Sequence, residues 1–438
     1  MTRQTEIDVA DPTGVVKRPR RLAPLDGLRL VAALTVVFYH YIGQGTRAWG
    51  ADTSHLFPRA HPIVSYGWTG VQLFFLISGF VICMSGWGRT VGDFAVSRVV
   101  RLYPAYIAGV LLTSAVITAL PLVTERPTPG RVLVNLTMLQ EAFGVQHIDS
   151  VYWTLWAELR FYLVFSLLVW CGLTYRRAVL FCVLGVAATI LADHSDNRWV
   201  LMVVQPENLP FFIGGIAIYL MYRFGANALL WAIVAACYVL GQRQMIDRLD
   251  VMADATGAHG SAWVAGGLLL AFYLLIIAVA FGAFSWANWG WLTAAGGLTY
   301  PLYLLHEYIG WTLIKRFQQA LPRQVLLLAV VTGMLALSWL VHRMIERPLA
   351  PRLKRWLKGV LHAFRRDHAE RTALPGQPAA PGQATAPGQP TAPGQAPLPQ
   401  RQPAAPRIAR QRSPIAARTG APGVGCLTAP APAEHSAG

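Results

Sequence analysis

Between residues 25 and 345 the chain is a succession of apolar runs, each about 15 to 25 residues long, enough as a helix to cross the hydrocarbon core of a bilayer. Lipid offers no partner to a bare backbone N–H or C=O, so such runs fold as helices or not at all. They lie near 25–43, 67–86, 102–120, 151–171, 178–193, 200–222, 227–240, 263–285, 290–314 and 324–345, which predicts an all-α, polytopic membrane helical bundle of about ten transmembrane helices. A chain of 438 residues with 54% hydrophobic and only 13% charged residues is in keeping with that class and not with a water-soluble domain.

The charge that remains has a direction. Lys and Arg number 37 against 21 Asp and Glu, and the excess gathers in "GRTVGDFAVSRVVR", "TYRR", "YRFGA" and the stretch after Glu346. The positive-inside rule puts these segments and both termini on the cytoplasmic side of the cell membrane, with "KRFQQALPR" as the exception outside. The basic excess therefore calls for a lipid bilayer and no nucleic acid. "VKRPRRLAP" leads straight into an apolar run without a cleavage pattern, so residues 1–21 read as a cytoplasmic basic segment and the first helix as retained. Residues 351–366 read as a basic juxtamembrane helix on the inner leaflet. Residues 367–438, with "PGQPAA", "PGQATA" and "PGQPTA" repeating, lack the apolar residues to offset ordering entropy and are expected to be a disordered tail. Cys83, Cys171, Cys182 and Cys237 fall in helices without metal-ligand spacing, so no metal site is expected.

Ionisable residues inside such helices cost a few kcal/mol each at mid-bilayer, roughly, and are functional candidates by default. "LRLVAALTVVFYHY" carries Arg29 and His40 eleven positions apart, three turns plus about 20°, so an α-helix puts them on one face roughly 16 Å apart. Arg29, close to the inner surface, is equally placed to snorkel to headgroups; His40 is deeper. "YWTLWAELRFYL" sets Glu158 and "GLTYPLYLLHEYIG" sets His306 at similar depth in the outer half, which suggests one polar cavity shared by His40, Glu158 and His306. Arg98 and Arg101 in "SRVVRLYP" share a helix face at the inner surface, where simple anchoring is the competing reading.

In this order the segments "LDGLRLVAALTVVFYH", "GVQLFFLISGFVI", "SRVVRLYP", "WTLWAELRFYL", "LTYPLYLLH" and "IERPL" resemble the acyltransferase-3 family of integral membrane O-acyltransferases over about residues 22–350. Leu30 stands where that family often has Gly, and Gln72 where an acidic residue is frequent. The resemblance implies ten core helices and transfer of an acyl group, acetyl first among them, from acyl-CoA; the low-complexity sequence after the last span makes the stand-alone form, without a fused periplasmic esterase-like domain, the expectation. It implies no permanently bound cofactor. The acceptor would be a hydroxyl of a cell-envelope glycan, a glycolipid or a lipophilic small molecule.

Such a reaction needs an activated hydroxyl and a grip on a polyanionic donor. His40 is the expected base with Glu158 orienting it and His306 beside the acceptor, while Arg29, Arg98 and Arg101 are expected to hold the CoA phosphates. The same intramembrane groups could instead serve a proton-coupled transporter or exporter, which would show internal repeats. The sequence has none that we detect.

Overall fold

The computed structural model describes residues 22–372, with side chains placed for residues 22–366. The expected basic segment 1–21 and nearly all of the expected tail lie outside the described residues. Among those described, the chain is helical with no strand. The long helices are α1 (Ala23–Phe38), α2 (Gly70–Gly86), α3 (Val91–Ala119), α4 (Trp153–Trp170), α5 (Tyr175–Ala192), α6 (Leu209–Phe224), α7 (Ala228–Asp247), α8 (Ala262–Ala280), α9 (Gly290–Phe317), α10 (Arg323–Val341) and α11 (Arg347–Thr372).

Eight segments of the described chain are long and apolar enough to cross a membrane, and they contain α1, α2, α3, α5, α6, α7, α8 and α10. Helices α4 and α9 match them in length but carry Glu158, Arg160, His306 and Glu307, and together they complete the expected ten. Burial separates inner from outer helices. The apolar windows of α1, α2, α3 and α6 are 56% to 72% buried, against 28% to 33% for α5, α7, α8 and α10. The outer helices turn residues such as Leu184, Leu191, Trp263, Leu274 and Leu328 outward, as a lipid-facing surface requires.

Local chemistry sets the helix ends. Thr90 caps α3, its hydroxyl accepting from Asp93 N at 3.2 Å and donating to the Asp93 carboxylate at 3.0 Å. That start lies eleven residues ahead of the expected run, so Arg98 and Arg101 are inside the helix and not merely at its entrance. Thr174 and Asn227 cap α5 and α7 in the same manner. Helices α2 and α6 meet backbone to backbone: a Cβ on Gly79 would lie 2.0 Å from Phe212 O, and one on Gly215 would lie 2.0 Å from Leu76 O. Small residues at a membrane helix crossing permit this approach.

Two turns depart from α-helical geometry. Residues Tyr39–Gly43 continue α1 as a π-helix, with Gln44 N bonded to Tyr39 O at 2.7 Å, and His342–Glu346 join α10 to α11 by a second. Turns of this kind are rare and concentrate at functional sites. The juxtamembrane helix α11 begins at Arg347, ahead of the expected 351, and its backbone continues to Thr372, into residues expected to belong to the tail. It docks on the start of α3 through Lys358–Asp93 at 3.3 Å and Arg365 donating to Thr90 Oγ1 at 3.3 Å.

Candidate active site

Two cavities lie end to end among α1, α2, α3, α4 and α9. The larger, about 390 Å³, is lined by Arg29, Arg89, Arg98 and Arg101 together with Ser78 and Glu158. The smaller, about 200 Å³, is lined by Tyr39, His40, Gln44, Trp68, Ser150 and Arg248. Val71 of α2 and Tyr303 of α9 line both, so they form the boundary between the two spaces. The Tyr303 hydroxyl is held there by Thr154, which donates to it at 3.0 Å.

The arginine end is built by α1, α3 and the segment after α2. Arg98 donates to Ser85 Oγ at 3.0 Å and lies between the rings of Phe94 and Tyr162, at 5.6 and 5.7 Å. Arg101 is paired with Glu346 at 2.9 Å and sits 5.4 Å above the Tyr300 ring. Glu346 in turn accepts from His342 Nδ1 at 2.9 Å across the second π-turn. Arg29 reaches Asp26 at 3.5 Å. Aromatic faces and single carboxylates hold these guanidiniums in place while leaving most of their donors uncommitted.

The histidine end is built by the first π-turn and α9. His40 is buried, with Nδ1 3.4 Å from Glu307 Oε1. That separation suits an ion pair and is long for a hydrogen bond, as is common before a substrate tightens a site. Trp311 Nε1 donates to His40 O at 2.7 Å, and the Tyr41 hydroxyl donates to His306 O at 2.7 Å, so the turn and α9 clamp one another on both sides of the imidazole. The His306 ring is 5.1 Å from that of His40. Its Nδ1 donates to Tyr303 O at 2.9 Å, which fixes the tautomer and leaves a buried Nε2 without a hydrogen-bond partner among the described residues. Behind them, Ser150 donates to Glu307 Oε2. Asp149 is fixed by Tyr308 N at 3.1 Å.

The structure brings His40 and His306 together, as the depth arithmetic expects, and brings Arg29, Arg98 and Arg101 to one cavity. It does not bring Glu158 to His40. Glu158 accepts from Ser78 in the arginine-lined cavity, and the carboxylate beside His40 is Glu307. The reason is depth: α4 carries Glu158 past the boundary at Val71 and Tyr303, on a stripe with Thr154 and Tyr162 along the arginine-lined cavity, whereas His40 lies on the other side of that boundary. Glu307, Asp149, Arg89 and Arg248 escaped the sequence reading. For Glu307 the signal was present, since it is a second ionisable residue next to His306 in "LLHEY".

Ionisable groups gathered at one pair of cavities within apolar helices define a membrane protein whose polar interior handles a ligand. Comparison with known proteins makes that handling acyl transfer. The acyltransferase-3 family model, described as an acyltransferase domain, matches residues 22–343. The chain belongs to this family of membrane O-acyltransferases. It is 28% identical to acyltransferase MdmB of Streptomyces mycarofaciens, over 58% of this chain and 78% of that protein. It is also 36% identical to protein 2 in the picA locus of Rhizobium radiobacter, over 25% of this chain and 53% of that one. No solved structure matches it.

Proposed function

We propose that the chain transfers an acyl group, acetyl in the simplest case, from acyl-CoA to a hydroxyl of a sugar, surface glycan or lipophilic small molecule. The observation that carries this reading is the pair of cavities meeting at Val71 and Tyr303, one lined by four arginines and the other by His40. The donor enters from the cytoplasmic side, with Arg29, Arg89, Arg98 and Arg101 binding its phosphates by charge-assisted hydrogen bonds. From Arg29 to His40 the helix rises about 16 Å, a span that an extended pantetheine arm covers. The thioester then lies at the boundary of the two cavities.

At that boundary the acceptor hydroxyl gives its proton to His40 Nε2, the nitrogen left free when Nδ1 faces Glu307. Its oxygen attacks the thioester carbonyl, the C–S bond breaks, and the departing thiolate takes the proton back from His40. Glu307, facing Nδ1, offers the imidazolium a negative charge. Buried as it is, that charge stabilises the protonated ring without solvent screening. His306, with its tautomer fixed, packs against the imidazole and limits its rotation.

Substitutions at the two ends give different phenotypes. His40→Ala lowers turnover by about two orders of magnitude or more while acyl-CoA affinity changes little. Arg98→Ala weakens acyl-CoA binding by about 1.5–3 kcal/mol for each buried charged bond lost, and Lys restores only part. Binding is read by displacement of labelled acetyl-CoA from the purified full chain in detergent. Turnover is read on the acceptor revealed by mass spectrometry of surface glycans and metabolites with and without the chain. Loss of acetyl-CoA binding in His40→Ala, or normal binding in Arg98→Ala, refutes the assignment.

A further inference from the structure

Glu158 is a carboxylate in the middle of an apolar helix, and the reaction above gives it no task. It accepts from the Ser78 hydroxyl. A carboxylate has about four acceptor sites, so one hydroxyl leaves it underused. Ser78 and Glu158 are both half-buried and both line the arginine-lined cavity, so their open side faces that space. This is a pair of acceptors waiting for donors in a place where leaving them unmet is expensive.

Its level in the cavity identifies the donor. Along α4 the lining residues Thr154, Glu158 and Tyr162 recur every fourth position, about 6 Å apart on one stripe. Along α2 the step from Val71 to Ser78 is about 10 Å. The pair therefore lies about 10 Å along α2 from Val71 at the boundary and about 6 Å along α4 from Thr154, whose hydroxyl holds Tyr303 there. On its other side Tyr162 carries Arg98 over its ring at 5.7 Å. Reading down the cavity gives the boundary hydroxyls, then an acceptor pair, then guanidiniums. An acyl-CoA thioester has the same order: reactive carbonyl, amide-bearing arm, phosphates. Its arm holds two amides, and the nitrogen of the one further from sulfur is about 9 Å away in an extended chain.

We infer that Ser78 and Glu158 form a binding subsite for the pantetheine arm, accepting the N–H of the amide further from the sulfur. The inference rests on the acyl-CoA reading given above. It makes Glu158 a donor-recognition residue, with no part in moving the hydroxyl proton.

Three acetyl thioesters separate the parts of the donor: acetyl-CoA, acetylpantetheine without the nucleotide, and S-acetyl-N-acetylcysteamine without the further amide. Each competes against labelled acetyl-CoA on the purified full chain in detergent. Glu158→Ala is expected to weaken acetyl-CoA and acetylpantetheine by the same factor, about ten- to a hundredfold, and to leave the cysteamine thioester unchanged. Arg98→Ala is expected to weaken acetyl-CoA alone. Ser78→Ala and Glu158→Gln repeat the Glu158→Ala pattern more mildly, and they decide the question if Glu158→Ala fails to insert. Equal weakening of all three thioesters, or of none, overturns the subsite. A wild-type chain that binds no labelled acetyl-CoA instead overturns the acyl-CoA reading itself, a distinct result.

Discussion

Replacing Gly79 by Ala tests how tightly the wall of the arginine-lined cavity is fixed. The added Cβ would lie 2.0 Å from Phe212 O and 2.8 Å from Phe212 C, both backbone atoms of α6. A relaxed carbon–oxygen contact needs about 3.3 Å, so α2 and α6 must separate by roughly 1 Å or more. No side chain can rotate away to absorb this. Nearby, Gly215 stands against Leu76 O at the same crossing, and a gap of that size forfeits about a quarter to a half of the dispersion attraction of each facing pair. Overpacking in a yielding core costs about 1–3 kcal/mol, and here the cost belongs at or above the top of that range. At about 2.1 cal/mol/K per residue, a helical domain of roughly 350 residues shifts by about 1.4 °C per kcal/mol, so the unfolding midpoint in detergent should fall by about 4 °C or more. Phe75 and Ser78 line the cavity from α2, and Phe75 packs on Phe212 at 4.7 Å, so acetyl-CoA affinity should fall with stability. Gly333→Ala is the control, since a Cβ there meets nothing within 4 Å on the exposed side of α10. It should be neutral or stabilising by up to about 1 kcal/mol from helix propensity. A Gly79→Ala midpoint equal to that of Gly333→Ala would refute the backbone-contact reasoning.

Glu307→Gln keeps the shape of the side chain and removes the charge facing His40, so turnover should fall about ten- to a hundredfold with acetyl-CoA binding unchanged, measured by steady-state kinetics and by displacement. A variant with wild-type turnover would show that the imidazolium needs no carboxylate. A reporter fused after Arg366 should read cytoplasmic and one inserted within 44–66 should read external; the reverse pattern would put the arginine-lined cavity on the wrong side for a cytoplasmic donor.

The fold was legible because lipid leaves a chain so few options. Once the backbone must satisfy itself, an apolar run of span length is a helix, and the ten runs correspond to α1 to α10. Boundaries were legible only where hydrophobicity ends with the helix. At α3 it does not: the segment "VGDFAVSRVV" is amphipathic, and Thr90 starts the helix far ahead of the apolar run. Nor did hydrophobicity reveal the π-turns at Tyr39–Gly43 and His342–Glu346. A single inserted residue leaves the apolar pattern nearly intact while rotating every side chain beyond it.

That rotation is why the site was legible in its membership and not in its pairing. Depth follows from counting residues along a helix, and counting correctly put His40 and His306 at one level and the arginines at another. Facing does not follow from counting. His306 and Glu307 are adjacent in α9, about 100° apart around the axis, and either alone could have been taken as the residue that meets His40. Both do, because the π-turn sets the His40 imidazole between them, 5.1 Å from one ring and 3.4 Å from the other's carboxylate. Glu158 shows the converse. Counting along its apolar run put it at the depth of His40, but α4 carries it past the boundary on a stripe with Thr154 and Tyr162 along the arginine-lined cavity, where it accepts from Ser78. A polar residue in a membrane helix is thus assigned by the stripe it shares with its i−4 and i+4 neighbours, and depth only says where along that stripe a ligand group must reach.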